Sequence, residues 1–296
     1  MSLENRVAIV TGAGGGLGAS HARLLAARGA RVVVNDMNAD AAQAVADSII
    51  ADGGEAIAIA ASVTDEAAVT AMIEAVVGRW ERVDILVNNA GILRDKSFAK
   101  MGLDDFRLVM DVHVMGAVIC TKAVWEIMRQ QRHGRIVMTT SSSGLYGNFG
   151  QANYGAAKMA LVGLMQTLAI EGEKYGIKVN CLAPTAATQM TDGVLSAEAL
   201  AALAPDLVSP GLIALVEEDA PSRTILCAGA GNFAAANITL TRGQYVGGDA
   251  MAADRVVDSW SAISDRSDEI VPAYGFTQAE RELKAAGHSV PAMATA

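Results

Sequence analysis

Three side chains in the sequence have the chemistry to exchange a proton with a substrate oxygen. Tyr154 and Lys158 are four residues apart, which places both on one face if the segment is helical. A tyrosine with an ordinary pKa near ~10 is a poor base at pH 7, and lowering that pKa by about 3 units requires roughly 4 kcal/mol of stabilisation of the phenolate. The ammonium of Lys158 is the candidate source of that stabilisation. Ser141, 13 residues before Tyr154, is a candidate to hold the substrate oxygen while Tyr154 acts as acid or base.

A glycine-rich run at residues 11–18 follows an apolar segment typical of a strand and opens a segment typical of an amphipathic helix. Glycine lets the backbone turn tightly and approach a pyrophosphate, whose charge then meets the free N–H groups and positive end of the helix. A tight turn without a ligand has the same composition, but the strand before and the helix after favour dinucleotide binding. The predicted cofactor contacts of this run are Gly12, Gly14, Gly15, Gly16, Leu17 and Gly18. Tyr154 and Lys158 alone would indicate a solvated helix face; with Ser141 and this run they indicate a catalytic site.

Asp36 stands at the end of the second predicted strand, 18 residues after Gly18. A carboxylate there accepts hydrogen bonds from the hydroxyls of an adenosine ribose and repels the 2′-phosphate of NADP. The alternative role is to cap the next helix, for which Asn38 and Asp40 are equally well placed. Residues 32–51 contain no lysine or arginine that would receive a 2′-phosphate, so the sequence favours NAD.

The elements that must position these residues are indicated by short β-branched runs that alternate with longer helical stretches. That alternation is typical of βαβ units, so we predict an α/β fold, a single-domain doubly wound parallel sheet of about seven strands. The predicted strands are 6–11, 31–35, 55–60, 84–88, 135–140, 177–182 and 224–227. The predicted helices are 17–27, 39–52, 65–80, 104–128 with Asp104 as N-cap, 154–175, 195–203 and, weakly, 251–261 and 277–286. In such a sheet the ligand crevice lies beyond the carboxyl ends of the strands.

Strand signals stop after Gly243, so we predict a dinucleotide-binding catalytic domain at 1–242. Residues 243–296 are predicted to form a C-terminal extension that packs on the same domain or at a subunit interface.

Composition excludes several other classes of function. The net charge of −9, from 23 basic and 32 acidic residues, lacks the footprint of a nucleic-acid or anionic-membrane binder. No apolar run approaches the ~18 residues of a membrane span, and the first residues contain no signal-peptide core. Cys120, Cys181 and Cys227 have neither disulfide nor metal-ligand spacing. We therefore expect a cytoplasmic protein with a small-molecule substrate, no metal, and no nucleic-acid or membrane partner.

Together these motifs resemble those of the short-chain dehydrogenase/reductase family over nearly all of residues 4–230. The resemblance rests on TGxxxGxG at 11–18, NNAG at 88–91, Ser141, and YxxxK at 154–158. It implies an NAD-dependent oxidoreductase in which Asn89, Ala90 and Gly91 line the cofactor. It also implies that Tyr154 and Lys158 contact the nicotinamide ribose. The segment after Pro184 would cover the nicotinamide amide, with Thr188 as the candidate contact.

The chain departs from the family pattern in three places. Ser62 and Val63 stand where the family has an acidic residue against the adenine, so backbone and hydroxyl contacts would substitute. A Pro-Thr pair at 184–185 replaces the usual Pro-Gly, so contacts in that segment transfer poorly. His113 aligns with the family's helix asparagine, whose role is attributed largely to its backbone carbonyl. His113 is then either a residue at a helix kink or a member of a proton relay.

Three segments, at 91–98, around His113 and at 144–154, look like the (3R)-hydroxyacyl-CoA dehydrogenase units of type 2 multifunctional enzymes, which also oxidise hydroxysteroids. A small basic cluster of Arg94, Lys96 and Lys100 lies near the predicted cleft and supports an acyl-CoA. The apolar segment 185–204 suits either a lid over an apolar substrate or an ordinary packing helix. The hypothesis is a 3-hydroxyacyl-CoA dehydrogenase, a homodimer or homotetramer. The alternatives are an alcohol, steroid or cyclic-ketone dehydrogenase and, more remotely, a non-catalytic NAD sensor.

Overall fold

The computed structural model describes residues 2–186 and 202–289. The chain divides into two units, Met1–Ala236 and Asn237–Ala296. The first unit ends six residues before the predicted boundary at residue 242.

The first unit is built on one sheet of eight strands. The strands are β1 Val7–Thr11, β2 Arg31–Asp36, β3 Glu55–Ala60, β4 Ile85–Asn88, β5 Gly134–Thr139, β6 Ile177–Thr185, β7 Ile225–Gly229 and β8 Asn232–Ala236. Their order is β3-β2-β1-β4-β5-β6-β7-β8, and all neighbours are parallel except β7 and β8. The prediction of a doubly wound parallel sheet is confirmed, with an antiparallel strand added at one edge.

Helices cover both faces of the sheet, as continuous apolar strands require. Those of the first unit are α1 Gly16–Ala27, α2 Ala39–Ala51, α3 Glu66–Trp80, α4 Leu103–Met110, α5 Gly116–Gln131, α6 Ser142–Tyr146, α7 Ala152–Gly172 and α8 Ser209–Val216. One core cluster joins the sheet to α1, α2 and α8, and a second joins it to α3, α5 and α7. The glycine-rich run, Ser141 and the start of α7 thereby reach the same edge of the sheet.

The helix predicted at 104–128 differs from the prediction in two respects. It runs from Leu103 to Gln131 with a π-helical turn at Asp111–Met115 between α4 and α5. Its N-cap is Gly102, because the backbone is still extended at that residue, and Asp104 lies in the first turn instead, where it pairs with Arg107 at 2.9 Å. The stretch is long and apolar enough to cross a membrane by length and composition alone, but its inner side chains pack in the core.

The second unit contains short helices at Ala252–Asp258, Trp260–Ile263 and Phe276–Ala285 and one isolated bridge between Leu240 and Ile270. Between residues 237 and 289 no side chain is fully buried. The helix predicted at 195–203 lies almost entirely outside the described residues.

Candidate active site

The carboxyl edge of the sheet brings the three predicted catalytic residues together. Tyr154 and Lys158 lie on consecutive turns of α7, and the Lys158 Nζ is 5.4 Å from the centroid of the Tyr154 ring. Ser141 follows β5 as the N-cap of α6, where its Oγ accepts a hydrogen bond from the Ser143 N–H at 3.2 Å. Ser141 lies close enough to Tyr154 for its side chain to lower the pKa of the phenol. A substrate oxygen placed at this pair would meet two hydroxyl groups.

Electrostatics at the pair differ from the expectation that Lys158 lowers the pKa of Tyr154. Burial raises the pKa of Tyr154, the hydrogen bond from Ser141 lowers it, and the charge of Asp95 raises it again, for a net increase. Burial also lowers the pKa of Lys158 to about 7, and the Lys158 Nζ donates a hydrogen bond to the Thr139 carbonyl at 2.6 Å. Tyr154 is therefore a protonated phenol at physiological pH.

His113 lies in the π-helical turn and is 3% exposed. Its Nε2 is 2.8 Å from the Ile92 carbonyl oxygen and 3.0 Å from the Ile92 nitrogen. Its ring meets the Tyr154 ring edge to face, with centroids 5.3 Å apart. Burial and the nearby charge of Lys158 lower the pKa of His113 to about 3, although the hydrogen bond to Ile92 raises it. His113 is therefore a neutral imidazole at physiological pH.

The glycine-rich run forms a cradle with one open position. A Cβ at Gly12, where φ is +62°, would lie 2.8 Å from the Ala90 Cα, and a Cβ at Gly18 would lie 2.6 Å from the Asn89 Nδ2, so both positions require glycine. A Cβ at Gly15 would meet nothing within 4 Å. Gly15 is the N-cap of α1 and provides no side-chain cap, so the first N–H groups of the helix have no side-chain acceptor at that residue.

Two further predicted cofactor contacts belong to the same turn. Gly16 begins α1 with a φ of +51°, which favours glycine. The Leu17 side chain is buried in the core, so the residue offers only its backbone N–H to a ligand.

Asp36 ends β2 beside this cradle. Its Oδ2 accepts a hydrogen bond from the Gly14 N–H at 2.9 Å, and its Oδ1 accepts one from the Asn38 N–H at 3.0 Å. Asn38, not Asp36, is the N-cap of α2, because its Oδ1 accepts from the Ala41 N–H. The capping alternative for Asp36 is thereby excluded. Asp36 is instead a carboxylate that borders the glycine-rich turn.

Asn89, Ala90 and Gly91 follow β4 and are tied to the glycine-rich run. The Asn89 Nδ2 donates to the carbonyl oxygens of Thr11 and Gly12 at 2.9 and 3.1 Å. The Thr11 hydroxyl accepts from the N–H groups of both Asn89 and Ala90 at 3.0 Å. Thr11 thus joins two cofactor-facing segments, a role that sequence reasoning missed although the residue belongs to the TGxxxGxG motif.

The predicted adenine-side residues differ in what they offer. Val63 is buried and packs against the start of α5, where a Cβ at Gly116 would lie 2.6 Å from its Cγ2, so only its backbone can face a ligand. Ser62 is half-buried, and its hydroxyl is 2.9 Å from the Thr64 hydroxyl. Thr188 lies outside the described residues.

A polar chain that sequence reasoning missed supports the serine side of the site. The Gln151 Nε2 donates to Asp95 at 2.7 Å, and its Oε1 accepts from the Ser143 hydroxyl at 2.7 Å. Asn153 is completely buried, and its Nδ2 donates to the Arg94 carbonyl at 3.1 Å. These contacts fasten the loop after Ile92 to the start of α7. Gln151, three residues before Tyr154, was the available sequence signal.

The basic cluster near the site is partly neutralised. Asp105 lies 3.3 Å from the Lys96 ammonium and 3.9 Å from the Arg94 guanidinium. Lys100 is exposed. Within 2–186 and 202–289, no group of three or more His, Cys, Asp or Glu side chains is arranged to hold a metal ion.

Comparison with known proteins agrees with this geometry. The family model described as short chain dehydrogenase matches residues 6–199. The chain is 43% identical over 281 residues to the peroxisomal hydratase-dehydrogenase-epimerase of Saccharomyces cerevisiae, which covers 91% of this chain and 31% of that protein. The chain is also similar to the structure of full-length peroxisomal multifunctional enzyme type 2 from Drosophila melanogaster, with a TM-score of 0.82, 38% identity, and coverage of 97% of this chain and 50% of that one. It thus spans half or less of the length of both relatives.

A third similar protein is a 7α-hydroxysteroid dehydrogenase whose structure holds NADH and 7-oxo glycochenodeoxycholic acid. The TM-score is 0.72 and the identity 31%, over 78% of this chain and 95% of that one.

Proposed function

The chain belongs to the short-chain dehydrogenase family, and on that premise we propose that it uses NAD to interconvert a secondary alcohol and a ketone, with a 3-hydroxyacyl-CoA thioester as the favoured substrate. It is an oxidoreductase that acts on CH–OH groups and binds a nicotinamide cofactor. The observation that carries the proposal is the grouping of Ser141, at the N-cap of α6, with Tyr154 and Lys158, whose Nζ lies 5.4 Å from the centroid of the Tyr154 ring.

The residues present fit a dinucleotide. The open space at Gly15 and the uncapped start of α1 suit a pyrophosphate, and Asp36 stands where the adenosine ribose would follow. When bound, the nicotinamide ring supplies the group that accepts or returns the hydride. Asn89 to Gly91 would line its binding region, and Tyr154 and Lys158 would contact its ribose.

Side chains of this chain bind the substrate oxygen and transfer its proton. Ser141 donates a hydrogen bond to the substrate oxygen, and Tyr154 gives its phenolic proton to that oxygen during ketone reduction. During alcohol oxidation, Tyr154 must receive the proton, which requires the phenolate. Lys158 stabilises the phenolate only when protonated, so its pKa of about 7 would have to rise when a nearby negative charge forms. We expect the phenolate and the Lys158 ammonium to form together.

The preference for NAD rests on Asp36. Its carboxylate borders the glycine-rich turn, and a 2′-phosphate in the same place would meet a negative charge. In the Asp36→Asn variant the hydrogen-bonding shape is retained and the charge is removed. We expect that variant to lose most of the discrimination against NADP, measured as the ratio of kcat/KM for the two cofactors.

Support for an acyl-CoA comes from the basic cluster, defined as Arg94, Lys96 and Lys100. The cluster lies on the loop that Gln151 and Asn153 fasten to the start of α7, next to the catalytic pair. Asp105 offsets part of its charge, which leaves Lys100 as the exposed cation most available to a phosphate. We expect Lys100→Gln to raise KM for the thioester and to leave KM for an uncharged alcohol unchanged.

A hydroxysteroid is the second candidate substrate. The observation that favours it is the exposure of Phe98, Tyr146 and Phe149, all between 72% and 93% exposed, on segments adjacent to the catalytic pair. The 7α-hydroxysteroid dehydrogenase that resembles this chain binds a steroid ligand.

We also propose a homodimer or homotetramer. The proposal is supported by exposed apolar side chains in the second unit, such as Val257, Trp260 and Phe276, which are 73%, 64% and 56% exposed. Sedimentation or light scattering would give the mass directly.

The test is reduction of NAD and of NADP, followed by absorbance, with (3R)- and (3S)-hydroxyacyl-CoA, simple alcohols and hydroxysteroids. Turnover of one thioester enantiomer with NAD is the expected result. Turnover of uncharged alcohols alone would retain the mechanism and refute the CoA assignment. Absence of turnover across the whole panel, with NADH still bound, would favour the NAD sensor.

A further inference from the structure

Four polar side chains outside the candidate site form a hydrogen-bonded network, which we call the His21–Asp206 network. The Ser20 hydroxyl donates to the Asp206 carboxylate at 2.5 Å and is 2.7 Å from the Ser209 hydroxyl. The Ser209 Oγ is in turn 2.8 Å from the His21 Nδ1. Ser20, His21 and Ser209 are buried, whereas Asp206 is exposed. The network therefore connects a buried imidazole to a carboxylate at the surface.

The carboxylate determines the direction of every hydrogen bond in the network. An ionised carboxylate only accepts hydrogen bonds, and a hydroxyl group has a single proton to donate. Ser20 gives its proton to Asp206, so the proton between the two serines comes from Ser209. Ser209 then has no proton left for the imidazole, and His21 must donate from Nδ1. The neutral ring is therefore the Nδ1–H tautomer, and its Nε2 carries a lone pair.

Three observations agree with this tautomer. The Nε2 of His21 is buried and has no hydrogen-bond partner within the described part of the chain, and a buried acceptor without a partner is less rare than a buried N–H without one. Burial lowers the pKa of His21 to about 3, so the ring is neutral. The Ser209 hydroxyl also lies 3.4 Å from the Pro205 carbonyl. If it donated there instead, the two serine oxygens would face each other at 2.7 Å with no proton between them.

The network joins parts of the chain that are 186 to 189 residues apart in sequence. One part is α1, and the other is a 3₁₀ turn at Pro205–Leu207 with the start of α8. Leu25 and Leu212 belong to the apolar core cluster that these elements share. Apolar packing is not directional. Ser20 and His21, by contrast, are adjacent residues that point about 100° apart around α1, so their hydrogen bonds fix the rotation of the helix.

The glycine-rich turn tolerates little movement of α1. A Cβ at Gly18, two residues before Ser20, would lie 2.6 Å from the Asn89 Nδ2 and 2.9 Å from the Ala13 Cα. The helix backbone is therefore in close contact with two segments that would line the cofactor. A rotation of α1 would change those contacts and the direction of the N–H groups at the start of the helix.

We propose that the His21–Asp206 network positions the cofactor-binding turn: it holds α1 in one rotation against α8 and so keeps the first turn of α1 in place for a pyrophosphate. Ser20, His21, Ser209 and Asp206 are then positioning residues that act on the cofactor through α1. The inference rests on the proposed function for the identity of the ligand, a dinucleotide. The network and its tautomer rest on contacts alone.

The tautomer can be measured without any ligand. Labelling the histidines with ¹⁵N distinguishes a protonated ring nitrogen from a bare one. The chain has four histidines, and the signals of His21 are the ones that disappear in His21→Asn. At neutral pH we expect Nδ1 of His21 to be protonated and Nε2 to be bare. An Nε2–H tautomer would mean that the hydrogen bonds do not run towards Asp206, and the network as proposed would be wrong.

Two substitutions at His21 separate positioning from the filling of core volume. In His21→Asn the amide nitrogen reaches the place of Nδ1 and donates to Ser209, whereas His21→Leu fills a similar volume and donates nothing. We expect the Kd for NADH to stay within about twofold in His21→Asn and to rise about fivefold or more in His21→Leu. Equal Kd values in the two variants would overturn the proposal.

A matched pair of serine variants tests whether the effect belongs to this network. Ser209→Ala removes its central hydroxyl. Ser48→Ala is the control, because the Ser48 hydroxyl accepts from the Arg23 Nε at 3.1 Å and joins α2 to α1 outside the network. We expect Ser209→Ala to raise the Kd for NADH about fivefold and Ser48→Ala to leave it within about twofold. Equal increases in both would mean that any lost contact of α1 weakens binding, which would contradict the proposal.

A double-mutant cycle adds a further check. Ser20→Ala should raise the Kd for NADH less in the Ser209→Ala background than in the wild-type chain, because both hydroxyls act in one network. Additive effects would show that they act separately and would refute the network. Tm, measured on every variant, identifies a protein whose affinity is low only because it has not folded.

Failure of the proposed function would leave a different pattern. A wild-type chain that binds no NADH would refute the cofactor and its positioning together, while an Nδ1–H tautomer at His21 would still establish the network. An active wild-type enzyme whose affinity for NADH is unchanged in both His21→Leu and Ser209→Ala would refute the positioning and leave the dehydrogenase intact.

Discussion

A buried charged side chain lies at each end of the parallel strands, and the two differ in whether the charge has an oppositely charged partner. At the carboxyl end, Lys158 is 3% exposed, and its ammonium donates to the Thr139 carbonyl at 2.6 Å without forming an ion pair among the residues that the structure describes. At the amino end, the side chain of Asp84 is 0% exposed and accepts hydrogen bonds from Arg6, from Arg82 and from the Val7 N–H. One end holds an unpaired cation and the other a fully paired anion.

The pKa values at the two ends reflect this difference. Burial lowers the pKa of Lys158 to about 7. Burial raises the pKa of Asp84, but hydrogen bonds from Arg82 and Val7 and the charges of Arg82 and Arg6 outweigh it, so that the pKa is below its ordinary value. The amino end therefore uses its charges for stability. The carboxyl end keeps a cation that becomes fully useful only when a reaction generates a negative charge beside it.

Lys158→Met should have the largest effect on activity and little effect on folding. Without the ammonium, the Tyr154 phenolate loses its proposed cationic partner, so kcat should fall by about a hundredfold or more. The free energy of unfolding should change by less than about 1 kcal/mol, because replacing a buried unpaired charge with an apolar chain of similar shape removes a desolvation cost. Denaturant titration and steady-state kinetics on one preparation check both. A loss of several kcal/mol would show that Lys158 is structural.

Asp84→Asn should give the opposite result. Removing the carboxylate leaves Arg6 and Arg82 close together without their anion, so the free energy of unfolding should fall by roughly 3–5 kcal/mol. The kcat per folded molecule should stay the same, because Asp84 precedes β4 at the end of the sheet away from the candidate site. A large loss of kcat with stability unchanged would contradict the division of roles between the two ends.

Acid should destabilise the fold through a buried histidine before it protonates Asp84. Behind the glycine-rich run, His21 in α1 is completely buried, and burial lowers its pKa to about 3. Its folded pKa lies below the unfolded value of 6.5, so the unfolded chain binds more protons and stability falls as the pH drops from 6.5 towards 3. The Asp84 contribution is lost only below the ordinary carboxyl pKa of 3.8.

A matched variant isolates the His21 effect. In His21→Asn the ionisable group is removed, while a polar atom stays near the place of Nδ1, which is 2.8 Å from the Ser209 hydroxyl. Between pH 7 and pH 5 the wild-type chain should lose about 2 kcal/mol more than the variant. Parallel pH profiles for the two proteins would show that His21 does not titrate as proposed.

The smallest expected effect on stability is at Gly15. Its φ of −171° is extended backbone that any residue adopts, and a Cβ there meets nothing, so Gly15→Ala should change the free energy of unfolding by less than about 0.5 kcal/mol. The Kd for NADH should nevertheless rise several-fold, because the methyl group occupies the space assigned to the pyrophosphate. Gly18→Ala is the contrasting control: its Cβ would collide with the Gly12 carbonyl and should cost about 1–3 kcal/mol. Unchanged NADH affinity in Gly15→Ala would show that the pyrophosphate does not bind at Gly15.

The sequence was most informative where strands are buried on both faces. The bounds of β3 match the prediction, and those of β1, β4 and β5 differ by one residue. β6 continues three residues further than predicted because its pairing with β7 runs through Pro184 to Thr185, and proline argues against a strand in a sequence. β8 was missed since its Asn-Phe-Ala-Ala-Ala sequence has low β propensity; it exists because a two-residue turn at Ala230 and Gly231 folds it back onto β7.

The sequence motifs predicted the residues of the site, but the tertiary contacts between distant residues were not predictable. Spacing was enough to propose Tyr154, Lys158 and Ser141, and the structure places them at one edge of the sheet. The hydrogen bond between the His113 side chain and the Ile92 backbone joins residues 21 positions apart, and His113 lies in a π-helical turn. Apolar periodicity gives no warning of such a turn. In the described structure the pKa of Tyr154 is set by burial, Ser141 and Asp95, and spacing alone could not have indicated those contributions.

The measurement that tests the central claim most directly is turnover and NADH binding in Tyr154→Phe, on one preparation, beside the wild-type chain. The account predicts that kcat falls by about a hundredfold or more, because phenylalanine keeps the ring against His113 and removes only the hydroxyl that exchanges the proton. The Kd for NADH should stay within about threefold, because one hydroxyl contact is lost. Turnover at the wild-type rate in that variant would contradict the assignment of Tyr154 as the acid/base.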